Sequence, residues 1–296
     1  MKRLLVQMVM TCCLIGAGWL FWAPVTAASA GSTGPGYWLE AGDGGVFSFG
    51  SAMFHGSATN RCTSLQCWGF TSTPDGSGYW IADNYPPAFN GQIYGFGSVG
   101  DVATGAVGVT ATASTPSGHG GWVLSGYDGM VKPFGDAAFH GDGTHIPFSE
   151  RNLPPQYGFV PYFEGIVATP DGGGYWLVGA DGGVFSYGDA RFFGSMGGRH
   201  INAPVCGIAR TTDGNGYWLV AYDGGVFAFG DARFQGSMGG KPLNELMIAI
   251  AANPDGTGYW TAAQDGGVFA FGDAPFLGSM GDRHLNRPIY GIAASP

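Results

Sequence analysis

The sequence predicts an all-β protein, a six-bladed β-propeller of four-stranded blades closed by pairing of the C-terminal strand with the first blade. Three observations lead there. A tryptophan recurs at Trp38, Trp80, Trp122, Trp176, Trp218 and Trp260, at spacings of 42, 42, 54, 42 and 42 residues, and an internal period of that length sets architecture before any local pattern does. Each copy holds four short apolar segments divided by turn residues, without helical periodicity, as propeller blades do. The first copy lacks its leading segment, and an orphan of that kind, Ile289 to Ser295, follows the last copy.

The fourth copy shows the elements in order. Gly165 to Thr169 reads as a leading strand of small residues, turned by Pro170-Asp171-Gly172. Tyr175 to Gly179 is the second strand, and Asp181-Gly182 is a hairpin turn that needs positive φ. Val184 to Tyr187 is the third, Gly188-Asp189 turns the chain again, and Arg191 to Gly194 is a short fourth. The orphan strand fits the gap in the first copy, where Gly36-Tyr37-Trp38 begins directly; pairing the two removes an open edge. Small residues at matching places, Gly69, Ala111, Gly165, Gly207, Ala249 and Gly291, suit leading strands crowded about an axis. The repeated Trp and Phe are expected to fill the space between blades, with an aromatic sugar-binding stripe as the competing reading.

Residues 1–30 differ in character: Lys2 and Arg3, an apolar run from Leu4 to Val25, then Ala28-Ser29-Ala30. That order reads as a secretory signal cleaved after Ala30, leaving a single propeller domain over 31–296 in a secreted, extracellular protein. The competing reading is an uncleaved anchor, since the run approaches the length of a membrane span, and membrane contact is expected only in that case. Cys12 and Cys13 lack the context of a lipoprotein signal. Beyond the leader, 10 Lys plus Arg face 21 Asp plus Glu with no basic run, which excludes nucleic acid as a partner. The 56 glycines follow no three-residue period and mark turns. Cys62 and Cys67 are spaced for a surface disulfide, and Cys206 is left as a small buried hydrophobe.

The strongest copies, Gly174 to Gly198, Gly216 to Gly240 and Gly258 to Gly281, carry GYW, DGGVFxFGDA and FxGSMGG. In these motifs the chain resembles repeats of secreted and cell-wall-associated proteins of actinobacteria, over nearly all of 31–296. Similar segments are appended to cell-wall hydrolases and peptidases, so the resemblance implies an accessory binding role; it implies no catalytic residues. The second and third copies depart from the pattern.

Candidate binding residues stand where the repeat breaks. One expansion follows Ala82 and carries Tyr85 and Phe89; another, from Gly141 to Phe163, carries His145, Glu150, Arg151, Tyr157 and Tyr162. Loops on a rigid scaffold concentrate binding residues, and both expansions are expected on the face that also carries the blade-linking loops with Arg199, His200, Arg283 and His284. Glu164 opens a leading strand where other copies have Cys206, Ile248 or Tyr290, a carboxyl near the axis suited to general-base or ligand chemistry. The repeated Asp181, Asp223 and Asp265, with Asp189, Asp231 and Asp273, sit beside glycines and read as turn residues. No GxSxG, HExxH or P-loop occurs, and the GxGxxG at Gly95, Gly97 and Gly100 has no helix to follow it. The expectation is a monomeric, non-catalytic binding or scaffold module for a cell-surface glycan or protein, with no cofactor or metal. The alternative is an extracellular hydrolase or lyase working at the channel mouth.

Overall fold

The computed structural model describes residues 34–62, 67–83, 91–146 and 162–296. Their strands, in chain order, are β1 (Gly36–Ala41), β2 (Val46–Gly50), β3 (Cys67–Ser72), β4 (Gly78–Asp83), β5 (Gln92–Gly97), β6 (Val102–Ala103), β7 (Val109–Ser114), β8 (Gly121–Ser125) and β9 (Val131–Phe134). They continue as β10 (Phe163–Ala168), β11 (Gly174–Gly179), β12 (Val184–Gly188), β13 (Val205–Arg210), β14 (Gly216–Ala221), β15 (Val226–Gly230), β16 (Met247–Ala252), β17 (Gly258–Ala263), β18 (Val268–Gly272) and β19 (Ile289–Ser295). No helix occurs among the described residues, and the strands form six antiparallel sheets of three or four strands in a propeller-like arrangement.

Each sheet is a meander; in five of the six the middle strand carries the Gly-Tyr-Trp motif, and in β11, β14 and β17 it is wholly buried. The hairpin between the second and third strands is built as its residues demand. Gly182 takes φ 76°, and the carboxylate of Asp181 accepts the Gly183 amide at 2.8 Å, which confirms the Asp as a turn residue; Asp223 and Asp265 bond Gly225 and Gly267 in the same way.

The first sheet has the order β19-β1-β2, with Tyr37 opposite Ala294 and Leu39 opposite Ile292. The last strand of the chain therefore completes the first sheet. The leading strands touch in the cyclic order β3, β7, β10, β13, β16, β19 and back to β3. Their small residues let the next strand approach: a Cβ on Gly165 would lie 3.0 Å from Ile208, and one on Gly291 2.7 Å from Phe70.

Two aromatic clasps hold the sheets to one another. The indole N–H of Trp176 donates to the carbonyl of Arg191 at 2.7 Å, and Trp38, Trp122, Trp218 and Trp260 bond Met53, Ala138, Arg233 and Pro275 alike. Each Trp thus ties down the outer segment of its own copy. Each Tyr reaches the outer segment of the preceding copy. The Tyr217 hydroxyl accepts the Phe193 amide at 3.1 Å and donates to Gly194 at 2.6 Å, and Tyr79, Tyr175 and Tyr259 repeat the pair. Tyr37 does the same to Leu277 and Gly278, so the joint between last and first sheets is built like the others. Backbone bonds repeat along the other end, from the amides of Cys67, Phe163, Val205, Met247 and Ile289 to carbonyls of the preceding sheet's hairpin.

These clasps correct the expectation of four-stranded blades. Among the described residues a paired fourth strand occurs in the second sheet alone, where β6 pairs β5. Elsewhere Trp and Tyr side chains occupy the polar groups of the outer segment, and no fourth ladder forms. The second copy shows the complement: its outer segment is a strand, and the buried Trp80 indole N–H has no partner among the described residues. The clasps also turn Phe54, Phe139, Phe192, Phe234 and Phe276 outward, each between 55% and 61% exposed. These five Phe do not fill the space between sheets as expected, because the bonds on either side of each ring fix the backbone and leave the side chain pointing to solvent.

Cys62 and Cys67 form a disulfide with Cα atoms 6.0 Å apart. Glu40 is the irregular member of the core. It is fully buried and neither carboxyl oxygen has a hydrogen-bond partner among the described residues, so burial, with a smaller contribution from Asp43, pushes its pKa well up.

Tyr37→Phe and Tyr217→Phe each strand one carbonyl and one amide, at a cost of about 1–2 kcal/mol. The two are expected to lower the urea midpoint equally; a Tyr37 variant as stable as wild type would show that the last joint bears no load.

Candidate functional site

Every leading strand is broken at the same place. The ladder slips between Cys67 and Phe70, Val109 and Ala111, Phe163 and Gly165, Val205 and Gly207, and Met247 and Ala249. In β19 the slip skips Tyr290. A bulge frees its extra residue from the pleat and re-aims the side chain. The residues so placed are Trp68, Thr110, Glu164, Cys206, Ile248 and Tyr290: six different side chains within an otherwise repetitive frame.

Several of them meet. The Tyr222 hydroxyl, from the hairpin after β14, donates to Glu164 Oε1 at 3.5 Å. The rings of Trp68 and Tyr290 lie 5.0 Å apart. Cys206 is a free, buried thiol whose Sγ donates to the carbonyls of Val220 and Met247 at 3.4 and 3.3 Å. The Trp68 indole N–H is buried without a partner among the described residues.

The electrostatics follow from desolvation. Burial raises the Glu164 carboxyl from 4.5 to about 8, against a smaller lowering by the Tyr222 hydrogen bond, so Glu164 keeps its proton at neutral pH. Burial, then Glu164 and Asp223, push the Cys206 thiol well up. A protonated thiol is a poor nucleophile, which leaves Cys206 as packing with a weak hydrogen bond. The ring is amphipathic, with the Glu164 carboxyl, the Tyr222 and Tyr290 phenols, the Trp68 indole and the Thr110 hydroxyl as polar groups.

Around it, the loops that link the sheets carry the cations. Arg283 and His284 share a depression of about 320 Å³ with Glu245, Asp265 and Asn286. A neighbouring one of about 420 Å³ is lined by Tyr222, Asp223, Lys241 and Asn244. Arg199 and His200 are exposed on the equivalent loop of the fourth copy. Among the described residues no three His, Cys, Asp or Glu side chains gather as a metal site would require.

Of the other expected binding residues, Tyr162 is corrected. It is 4% exposed and packs its ring 4.7 Å from that of Phe163, so it serves the core. His145 is exposed and stands 6.5 Å from Tyr187 on β12, the third strand of its sheet, while Glu164 lies on the leading strand. Tyr85, Phe89, Glu150, Arg151 and Tyr157 lie outside the described residues, as does the leader.

Sequence reasoning singled out Glu164 but missed its ring, because a bulge leaves no mark on composition. The signal available was the mismatch of Trp68, Thr110, Glu164, Cys206, Ile248 and Tyr290 at one repeat position. It also missed a cavity of about 540 Å³ at the opposite end of the leading strands, lined by residues such as Ser72, Thr112, Ile208, Arg210 and Pro254.

Comparison with models of known families gives no match, and comparison with curated protein sequences gives none either. Solved structures do match. A candidate 6-phosphogluconolactonase from Bacteroides uniformis aligns with a TM-score of 0.51 at 12% identity, covering 83% of this chain and 81% of that one. A chain of a nidogen/laminin complex aligns with a TM-score of 0.53 at 11% identity, covering 89% and 99%. At such identity the likeness is one of fold, and it is to a propeller-like fold.

The raised Glu164 carboxyl has a sign that can be checked. Its stabilising contribution is complete below pH 4.5 and is lost as pH rises through about 8, because the unfolded carboxyl ionises first. The stability of Glu164→Gln relative to wild type is therefore expected to climb across that window and level off above it. Urea unfolding at a series of pH values measures this, and a pH-independent difference would contradict it.

Proposed function

We propose that this chain is a secreted binding or scaffold module: a closed, six-bladed propeller, without catalytic activity, that meets a cell-surface glycan or a protein partner through its loop-rich face. One observation carries the reading. The frame repeats almost residue for residue in the fourth, fifth and sixth copies, whereas the six bulge residues at one end of the leading strands differ in every copy, and polar depressions lie beside them. A frame that holds six unlike side chains in a ring is suited to one asymmetric ligand. Closure and blade count are supported by the β19–β1 pairing and by the Tyr37 bonds, which match those of the other copies. The leader and the export it implies rest on the sequence of residues 1–30.

The five outward Phe rings support the scaffold half of the reading. Single exposed apolar residues are ordinary; one at the same place in five of six copies offers repeated contacts around the rim.

The second reading, an extracellular hydrolase or lyase, is favoured by one group, the protonated Glu164 beside the Tyr222 hydroxyl, the arrangement of a general acid. It rests on this one carboxyl, whereas paired-carboxylate glycosidases use two, roughly 5–10 Å apart.

The test is binding of labelled protein to a glycan array and to cell-wall preparations, with release of reducing sugar measured in parallel. Binding is expected without sugar release, and the Trp68→Ala and Arg283→Ala variants are expected to weaken it by about tenfold, or roughly 1.4 kcal/mol, while Arg191→Ala does not. Equal binding by all variants would remove the loop-rich face from the account. Sugar release abolished by Glu164→Gln would establish the hydrolase instead.

A further inference from the structure

The cavity at the far end of the leading strands has a different chemistry. A leading strand rises about 3.3 Å per residue, so the end of β13 at Arg210 lies about 13 Å from the bulge at Cys206. The cavity holds about 540 Å³, a volume suited to a small organic ligand. Its collar is Phe70, Thr112, Ile166, Ile208, Ile250 and Ile292, one residue from each leading strand.

Two residues further along each strand, toward the mouth, the copies carry Ser72, Ser114, Ala168, Ala252 and Ala294; the fifth copy alone carries Arg210. It is the one charged side chain lining this cavity. Small residues at five positions leave room, and the long side chain at the sixth reaches over it. Prolines at the rim of five copies, Pro74, Pro116, Pro170, Pro254 and Pro296, fix the backbone there and remove amide donors, so the mouth is pre-shaped and Arg210 is its main donor.

The guanidinium is held but not neutralised. Nη1 donates to the carbonyls of Thr211 at 3.0 Å and Thr212 at 3.1 Å, which orients the group. Nε and Nη2 have no protein acceptor among the described residues, and no carboxylate there forms an ion pair with Arg210; the ion pair found is Arg61–Asp101. Asp213, the acid nearest in sequence, is engaged by the Thr211 hydroxyl at 2.8 Å, the Asn215 side chain at 2.8 Å and the Asn215 amide at 3.1 Å. Arginine stays charged when partly buried; Asp213 favours that charge from a distance without forming an ion pair, so the partly desolvated cation remains an incomplete ion pair. A fixed, half-used fork matches the two oxygens of a carboxylate, and the collar beneath it accepts an apolar body.

We infer that this cavity is a binding site for a small monocarboxylate, with Arg210 gripping the carboxylate and the Ile208 collar receiving the rest of the molecule. A free organic acid and the C-terminus of a peptide share that chemistry. The site lies at the opposite end of the strands from the ring invoked for the proposed function, so either can fail without the other.

The test is an NMR titration of nitrogen-15-labelled protein with hexanoate, with N-acetylalanine as the peptide-end mimic, and with the amides of both as uncharged controls. Saturable shifts are expected at the Arg210 side-chain Nε–H and the Ser72 and Ser114 amides, with affinity falling by about tenfold or more, roughly 1.4 kcal/mol, in the amides and in Arg210→Gln. Arg210→Lys, which keeps charge without the fork, is expected to bind between the two. Preference for hexanoate assigns a free acid and preference for N-acetylalanine a peptide end. The inference is overturned if neither acid saturates at these resonances, if acid and amide bind alike, if Arg210→Gln binds as wild type does, or if inorganic phosphate binds more tightly than both acids.

Discussion

A tyrosine hydroxyl that accepts one amide and donates to one carbonyl of the neighbouring sheet is the joint on which this architecture depends. A three-stranded antiparallel sheet of short strands is stable only with a hydrophobic face to bury, and here that face is buried against the next sheet. The Trp clasp fixes the outer segment that the neighbouring Tyr then grips, and the two act in series around the molecule. Glycines serve the same joint: a Cβ on Gly194 would lie 2.7 Å from the Phe229 ring and one on Gly278 2.8 Å from Phe49. The last joint repeats the Tyr bonds of four other joints, and the last strand of the chain is paired into the first sheet.

The joint between the second and third sheets is built differently. The third copy has Gly121 where the others carry the Tyr, and the ring of Phe134 takes the space above it, 5.4 Å from Trp80 in an edge contact. Apolar packing is kept there and the hydroxyl bonds are given up. At the preceding joint, Arg61 of the first copy pairs with Asp101 of the second and lies 4.3 Å over Tyr94; at 40% and 41% exposure such a pair adds little.

Much of the frame was legible in residues alone. The Trp period, the Asp-Gly hairpins and the orphan Ile289–Ser295 strand each state a local requirement that the fold satisfies. What could not be read was how polar groups of the outer segments are satisfied. A fourth apolar segment looks like a strand in sequence, yet side chains of Trp176 and Tyr217 reach its carbonyls and amide first. The site was legible in part. Glu164 stood out as an acid among apolar residues, whereas Tyr162 was drawn as a binding residue from its place in an insertion and is buried against Phe163. Arg210 was invisible as a site residue because its meaning lies in the Ser and Ala at the same level of five other strands.

The central claim, that the chain ends are locked together, is tested most directly by hydrogen exchange of the backbone amides of Gly291 and Ala293, which pair with Glu40 and Trp38. If the ring is closed, these amides exchange only through global unfolding, as slowly as those of β11 and β14 and with the same denaturant dependence. Exchange as fast as that of a fraying terminus, while β11 and β14 stay protected, would contradict it.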